Sequence, residues 1–585
     1  MPAPKTRREF LRDIAAGSAA VTSVAAFGGR GCADPRHARP NILVVLADDM
    51  GYSDIGCFGG EIDTPHLDAL AARGLRFTHA YNVSRCCPSR ASLLTGLYPH
   101  QAGVGDMMSD GGVDGYRGDL HRHTPTIAEV LKPAGYRTYA AGKWHVTRFL
   151  PPDGSSHNWP RQRGFDRYFG IVTGAASYYE PQTLLEDNTP IEPDDGFFLT
   201  DAIADRTAGF IDEHFRDHAD QPFFSYVAFT APHWPLHAPE ADIAKYRGRF
   251  DAGWDVLRQK RYARMIEMGL IDPRWGLSPR DGNVPAWTDA PDKAWQLRRM
   301  EVYAAQVDRM DRGIGRVVDR LKAHGALDNT LILFLSDNGG CHEELAASWD
   351  NYFVGNREKV MRPTTRDGRA VQHTNDPAVM PGPSDTYQSY GYPWANVSNT
   401  PFRLFKHWEH EGGISTPLIA HWPAAVQARG DLRRQHGHVI DIMATCVDVA
   451  GATFPAAYAG RATTPLEGRS LAPALDDRAI VRDELCWEHE GNRALLTVWW
   501  KLVARGAKGP WELFDLAADR TELNDLAATR VDVVSDLSRR WDAWAARTGV
   551  LPRPGQATDA EIAARADAYM ARKVTSAASR TITRS

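Results

Sequence analysis

A series of short, largely apolar runs, the first of them continuous, limits what this chain can fold into. "NILVVLA" (Asn41 to Ala47) comes first, followed by "YRTYAAG" (Tyr136 to Gly142), "PFFSYVAFT" (Pro222 to Thr230), "TLILFLS" (Thr330 to Ser336) and "TPLIAHW" (Thr416 to Trp422). Runs of this length without polar alternation read as strands buried on both faces, as in parallel sheets covered by helices. Helical stretches lie between them. Thr64 to Arg73 opens with Thr64 and puts Pro65 at its first position, where a missing N–H costs nothing. Leu297 to His324 carries Val302, Ala305, Val307, Met310, Ile314, Val317, Val318 and Leu321 at helical spacing and stops at Gly325. The expected fold class is therefore α/β, a large mostly parallel sheet flanked by helices.

A second, smaller unit is expected at the C-terminal end. After a helix over His438 to Gly451, the segment to about Gly468 is rich in Ala, Gly, Pro and Thr and reads as a linker. "ELCWEHEG", "RALLTVWWKLVARG" and "WELFDLAAD" read as three short strands, and Val531 to Arg547 as a helix. The expected division is a signal segment over 1–36, a catalytic α/β domain over 37–455 and a C-terminal α+β subdomain over 456–550. A partly disordered tail over 551–585 holds a short helix candidate, Asp559 to Arg572.

"TRREFLR" (Thr6 to Arg12) precedes an alanine-rich apolar stretch from Ile14 to Phe27, the pattern of a twin-arginine export signal. The stretch is too short for a stable membrane span. The expected location is periplasmic or otherwise extracytoplasmic, with the twin-arginine translocase as a partner and lipid anchoring at Cys32 as the lesser alternative. Export permits disulfides, yet seven cysteines without paired spacing do not make a disulfide scaffold. A net charge of -5 gives no reason to expect nucleic acid.

In such a sheet, ligands gather beyond the carboxyl ends of strands, and polar clusters stand at several of those ends here. "ADDMGYSD" puts Asp48 and Asp49 after the first strand, and "SDNGG" puts Asp337 and Asn338 after the fourth. Adjacent carboxylates repel unless a cation neutralises them, and hard oxygen donors suit calcium or magnesium. For each cluster taken alone, a solvated loop or a plain turn is the competing reading. "AGKWHV" adds Lys143 and His145, and "APHWPLH" adds His233 and His237. Lysine beside a metal-binding carboxylate set suits a tetrahedral oxyanion such as phosphate or sulfate, with a histidine to move protons. In "CCPSRASLLTG", Pro88-Ser89-Arg90 reads as a turn into a helix over Ala91 to Gly96, which sets Cys86 before an electropositive helix start.

These residues resemble a known family. Cys86 to Gly96 resembles the signature of the formylglycine-dependent type I sulfatases, Cys-x-Pro-Ser-Arg-x-x-x-Leu-Thr-Gly, and the match is long and specific. Further stretches similar to that family are "LADDMGYSD", "GEIDTPHLDALAARGLRFTHAY", "AGKWH", "APHWP", "LSDNGG", "FKHWEHEGG" and "WELFDLAADRTELNDLA", spanning about 40 to 530. The resemblance implies an alkaline phosphatase-like α/β fold and an arylsulfatase-like sulfuric ester hydrolase. It implies that Cys86 becomes Cα-formylglycine, made by a formylglycine-generating or anaerobic sulfatase-maturing enzyme that reads Pro88 and Arg90. It further implies one Ca2+ held by Asp48, Asp49, Asp337, Asn338 and residue 86, with Arg90 supporting the hydrated aldehyde. Lys143, His145, His233 and Lys406 are implied around the sulfate. The mechanism the resemblance implies has one hydroxyl of the hydrate attack sulfur while Asp337 takes or shares its proton. By the same resemblance His233, with Lys406, would protonate the departing alcohol, and His145 would take a proton from the second hydroxyl, so that sulfate leaves from the first oxygen and the aldehyde returns.

Some positions depart from the family pattern. No glycine stands two residues after His145, Ser415 replaces a frequent arginine, and Cys87 fills a position often held by Ser or Thr. The expected substrate is a carbohydrate or aryl sulfate ester, with Trp234, Trp275, Trp287, Trp394 and Trp408 as candidates to stack its rings or simply to pack the core. A phosphodiesterase or phosphonate monoester hydrolase of the same superfamily, and a catalytically silent binder of sulfated glycans, are the alternatives.

Overall fold

All five apolar runs form strands, and they lie in one sheet. A computed structural model of the chain describes residues 39–152, 154–345 and 360–554. The expected signal segment, Cys32 and the tail helix lie outside the described residues. Along the chain the sheet contains β1 (Asn41–Asp48), β2 (Leu75–Tyr81), β3 (Arg137–Gly142), β4 (Arg167–Ile171), β5 (Leu184–Glu186), β6 (Thr189–Pro190), β7 (Phe223–Pro232), β8 (Thr330–Ser336), β9 (Ser415–His421), β10 (Asp431–Arg433) and β11 (Gly437–His438). Their spatial order is β10-β2-β9-β8-β1-β7-β3-β4-β5-β6, with β11 also on β2.

Central β1 shows why the run is continuously apolar. It pairs in parallel with β7 on one side and β8 on the other. Its side chains alternate between two cores: Leu43, Val45 and Ala47 enter one, Ile42, Val44 and Leu46 the other. Each such buried aliphatic side chain stabilises the fold by about 1.5–3 kcal/mol relative to exposure. The first core is covered by the helices Leu199–Asp217 and Lys293–Ala323. The second is covered by the helices Cys86–Thr95 and Ile440–Val449 and by the C-terminal unit.

Three details differ from the sequence expectation. Residues Leu75 to Tyr81 form a strand that the apolar-run criterion misses. Strand β9 is antiparallel to both β2 and β8, so the sheet is mixed, though mostly parallel. The C-terminal unit has four strands rather than three, because Thr497 to Trp499 turn the chain inside "RALLTVWWKLVARG". After a small hairpin of β12 (Ala457–Tyr458) and β13 (Arg461–Ala462), these are β14 (Leu485–His489), β15 (Asn492–Leu496), β16 (Trp500–Ala504) and β17 (Glu512–Asp515), an antiparallel meander. Helix Val531–Thr548 carries Trp541 and Trp544 into the same core. Among the described residues no helix is long and apolar enough to cross a membrane. The described cysteines are all unpaired and buried.

Candidate active site

Strand direction brings six distant segments to one edge. Strands β8, β1, β7 and β3 are mutually parallel, so their carboxyl ends share that edge. There the chain continues into Asp337-Asn338, Asp48-Asp49, His233 and Lys143, respectively. Antiparallel β9 begins at the same edge, which brings in Lys406 from the segment before it. Strand β2 runs opposite to β9 and therefore ends there, five residues before Cys86.

The helix starts earlier than the sequence expectation. Its first residue is Cys86 rather than one after Pro88, and it runs to Thr95 with Gly96 closing it at φ 68. Pro88 sits in the first turn, where its missing N–H is no loss. Ser89 Oγ accepts from Val83 N and donates to Val83 O, each at 2.8 Å, which fixes the chain entering the helix. Every residue of this helix is buried. A hydrogen bond from Cys87, together with Lys143, His145 and Lys406, holds the Cys86 thiol well below its usual range despite burial. Burial pushes Cys87 the opposite way, and its Sγ faces Asp106 O and Met107 Sδ, each at 3.6 Å. The two neighbours are chemically unequal.

Arg90 organises the floor of the site. Its Nε and Nη2 grip Asp337 Oδ2 at 2.9 and 2.7 Å, and its Nη1 donates to the Lys143 carbonyl at 2.9 Å. Lys143 Nζ binds Asp48 Oδ2 at 2.7 Å, and Lys406 Nζ binds Asp49 Oδ2 at 2.9 Å. Asn338 Nδ2 donates to Asp49 Oδ1 at 2.7 Å. Asp48, Asp49, Asp337 and Asn338 are almost wholly shielded from solvent. Burial, and then repulsion from Asp337, push Asp48 well above the usual carboxylate range. Burial also raises Asp337 against the pull of Arg90 and Lys143. Asp49 lies below its usual value because His233 and Lys406 outweigh its burial.

This floor suits a metal ion. Asp48 Oδ1 and Asn338 Oδ1 are buried without a hydrogen-bond partner, and such atoms are costly unless a cation or donor meets them. The set is entirely oxygen, the preference of calcium and magnesium. Asp48, Asp49, Asp337 and Asn338 are the residues that would hold such an ion.

Above the floor lies a cavity of about 470 Å³ lined by Cys86, His145, His233 and Lys406, with Arg85, Met107, Trp234 and Glu343 among its walls. His233 Nδ1 donates to the Trp234 carbonyl at 2.6 Å, because a carbonyl can only accept. Its Nε2 lone pair therefore faces Lys406 Nζ at 3.5 Å. Burial lowers His233 to about 3 and His145 to about 4, so both rings are neutral near pH 7. His145 adopts φ 53, and a side chain at Gly174 would strike its ring at 2.4 Å. A second cavity of about 300 Å³ shares Met107, His145, Gly174 and Val360 with the first.

Comparison with known proteins shows the family of the chain. A family model described as Sulfatase matches residues 40–452. The chain belongs to the sulfatase family. A second model, N-sulphoglucosamine sulphohydrolase, C-terminal, matches residues 402–543 of this sulfatase. An uncharacterized sulfatase of Schizosaccharomyces pombe is 34% identical over 88% of this chain and 95% of its own. An arylsulfatase of Klebsiella aerogenes is 33% identical over 78% of this chain and 95% of its own. The crystal structure of Ps i-CgsB in complex with k-i-k-neocarrahexaose superposes with a TM-score of 0.60 at 25% identity, covering 91% of this chain and 98% of that one. The protein is a sulfuric ester hydrolase.

The structure brings Cys86, Arg90, Lys143, His145, His233, Lys406, Asp337, Asp48, Asp49 and Asn338 of this sulfatase to one place. His237 is not among them: it is buried, with Nε2 donating to the Thr386 carbonyl at 2.6 Å. Of the tryptophans, Trp234 reaches the cavity, whereas Trp394 packs wholly in the core. Sequence reasoning missed Arg85 and Glu343, which pair across the cavity wall at 2.7 Å. Glu343 also accepts from Trp234 Nε1 at 2.9 Å. Lys406 and Arg85 hold it well below its usual range in spite of burial. Arg85 adjoins Cys86, so adjacency to the signature was its only sequence signal.

Proposed function

We propose that this sulfatase hydrolyses a carbohydrate or aryl sulfate monoester to the alcohol and inorganic sulfate, with residue 86 as formylglycine and one Ca2+ on the aspartate floor. The carrying observation is the position of Cys86: first residue of a buried helix, at the base of a cavity shared with Lys406, His233 and His145. Similarity to the Klebsiella aerogenes arylsulfatase supports the sulfate ester class. Formylglycine would supply a hydrated aldehyde as nucleophile, and Ca2+ would supply Lewis-acid stabilisation of the transferring group.

The chain's own residues do the rest. Lys143 and Lys406 neutralise the sulfate oxygens in a dry pocket, where such charges act strongly. Arg90 holds Asp337 in the orientation needed to share a proton with the nucleophile at residue 86. Lys406 carries the proton nearest His233 Nε2, and this pair meets the departing oxygen. His145, neutral and with Nδ1 free of a partner, is the base on the nucleophile side. Export by the twin-arginine translocase to an extracytoplasmic location, after maturation by a formylglycine-generating or anaerobic sulfatase-maturing enzyme, belongs to the same proposal.

Mass analysis of the peptide containing residue 86, after expression with a maturation system, tests the nucleophile. A residue lighter than encoded cysteine is expected, together with turnover of nitrophenyl sulfate that Cys86→Ala lacks. An intact thiol alongside full activity would overturn the nucleophile. Higher kcat/KM on a paired phosphate ester would overturn the substrate class.

A further inference from the structure

Three groups meet where the loop carrying Lys406 touches the C-terminal sheet, and the chemistry above uses none of them. His407 follows Lys406, His489 ends β14, and Glu490 opens the two-residue turn into β15. One ligand atom from each lies within 4.8 Å of the others. His407 Nδ1 stands 2.8 Å from Glu490 Oε2, and His489 Nε2 stands 3.8 Å from Glu490 Oε1.

His489 supplies an independent sign that something is bound here. It is completely buried, and neither ring nitrogen has a hydrogen-bond partner. A neutral imidazole carries one donor and one acceptor, and leaving both unused in the interior is costly unless a ligand takes one. The backbone of His407 is strained as well, at φ 94, a region bulky residues seldom enter. Its amide is tied to the Ser84 carbonyl at 2.7 Å, two residues before Cys86.

We propose that His407, His489 and Glu490 bind one divalent cation of the zinc class, at a site separate from the oxygen-only floor under Cys86. Two imidazoles and a carboxylate form a donor set that Zn2+ takes readily and that Ca2+ and Mg2+ do not favour. A tetrahedral ion with bonds of about 2.0–2.1 Å spaces its ligand atoms about 3.3 Å apart. The two imidazoles stand 2.8 and 3.8 Å from the two different oxygens of Glu490, and one ligand atom from each residue lies within 4.8 Å of the others, so side-chain shifts that draw the three together close the site. His407 and Glu490 are partly exposed, which gives the ion an entry path and water a fourth position.

One contact must yield. Asn492 Oδ1 accepts from Gly506 N at 2.9 Å, so its Nδ2 is the group donating to His407 Nε2 at 3.2 Å and to the His407 carbonyl at 3.1 Å. His407 thus holds its proton on Nδ1, directed at Glu490. Binding replaces that proton with the ion; the proton moves to Nε2, and the 3.2 Å contact is lost while the carbonyl contact stays. The bound ion ties the Ser84 to Cys86 and Lys406 segments to the β14–β15 hairpin.

The test is titration of the Cys86→Ala chain with ZnCl2 in excess Ca2+. Among the described residues two further groups could take zinc: removing Cys86 dismantles the one made of Cys86, Cys87 and His145, and excess Ca2+ competes for the one made of Asp48, Asp49 and His233. Expected are one Zn2+ per chain by calorimetry, a Tm raised by several degrees, and an anomalous scattering peak at the zinc edge between the three residues. His489→Ala and Glu490→Gln should each weaken binding about tenfold or more, the scale seen when a metal site loses support. Should His489→Ala not fold, Glu490→Gln at the half-open turn decides alone. Absence of zinc binding, unchanged affinity in the variants, or a peak elsewhere would overturn the proposal. A chain lacking sulfatase activity would still bind zinc here.

Discussion

At the scale of single residues, the site is a balance of buried charges in which each member depends on its partners. Arg90 is the clearest case, fully buried and bidentate on Asp337, with Asp48 Oδ2 at 3.5 Å. Replacing it by Ala leaves carboxylates facing one another without their cation, a loss on the order of 3–5 kcal/mol. Arg90→Ala is therefore expected to lower the Tm measured by calorimetry by many degrees, and a change within the noise would sink this account. His233 leads to a kinetic expectation. Its Nε2 faces Lys406 over the cavity, so His233→Ala disturbs the group that meets the leaving oxygen. Loss of positioned proton transfer costs about 10²–10⁴ in rate, but only when the leaving group needs the proton. The kcat on an alkyl or sugar sulfate should fall by that factor and that on nitrophenyl sulfate by far less. Equal losses on both would assign His233 to sulfate binding instead.

Elements show where the sequence could be read and where it could not. Asp48, Asp49, Asp337 and Asn338 were legible because each pair stands at the end of a largely apolar run, and a strand end marks an edge; Lys143 was legible because the Tyr-Ala-Ala-Gly end of "YRTYAAG" precedes it, although Arg137 and Thr138 interrupt that run. Strand β2 was not legible, because "LRFTHAY" mixes Arg76, Thr78 and His79 into the run. In the fold Arg76 leans out to bond the Cys57 and Gly430 carbonyls, while His79 stacks on His436. Those partners come from remote segments that no local pattern encodes. The direction of β9 was equally hidden, since it depends on how the chain returns to the sheet. Glu343 and Arg85 face the cavity only because of the path of their loops.

The same scale yields a prediction about the joint between β9 and the C-terminal sheet. Glu411, just before β9, accepts from Lys501 Nζ of β16 and from Arg520 Nε, each at 2.8 Å, and Glu522 meets Lys501 at 2.8 Å. Burial alone would raise the Glu411 carboxyl, but Lys501 and Arg520 together bring it from 4.5 down to about 2. A depressed folded-state value means that this stabilisation is complete above about pH 4.5 and is lost as pH falls toward 2. Lys501→Met leaves two buried carboxylates facing each other and should cost about 3–5 kcal/mol at neutral pH. The variant should also lose much of the wild-type dependence on pH between 4.5 and 2. Urea unfolding at neutral and acid pH measures both; a cost below about 1 kcal/mol, the value of an exposed pair, would sink the argument.

For the molecule as a whole, the question is whether the C-terminal sheet is a separate domain in the thermodynamic sense. Chains of this length usually unfold in more than one step, and units joined by a modest polar interface move and melt independently. Here the contact is a shared core. Leu75, Phe77 and Tyr81 of β2 belong to the same apolar cluster as Leu485, Trp487, Leu513 and Trp541. Trp487 Nε1 donates to the Asn82 carbonyl at 2.8 Å, four residues before Cys86, and Trp541 Nε1 donates in turn to the Trp487 carbonyl at 3.0 Å. Arg520 Nη1 reaches the Thr78 carbonyl at 2.6 Å. The segment that delivers residue 86 to the site is thus held by the C-terminal strands, so neither part keeps its native packing alone. Thermal unfolding followed by far-ultraviolet circular dichroism and by tryptophan fluorescence should give coincident curves. A chain ending at residue 455 should keep secondary structure yet lose near-ultraviolet dichroism and bind a hydrophobic dye, the marks of lost packing. Two resolved transitions, or a truncated chain with native near-ultraviolet dichroism, would show instead that the catalytic sheet folds by itself and that the seam at Asn82 and Trp487 only orients it.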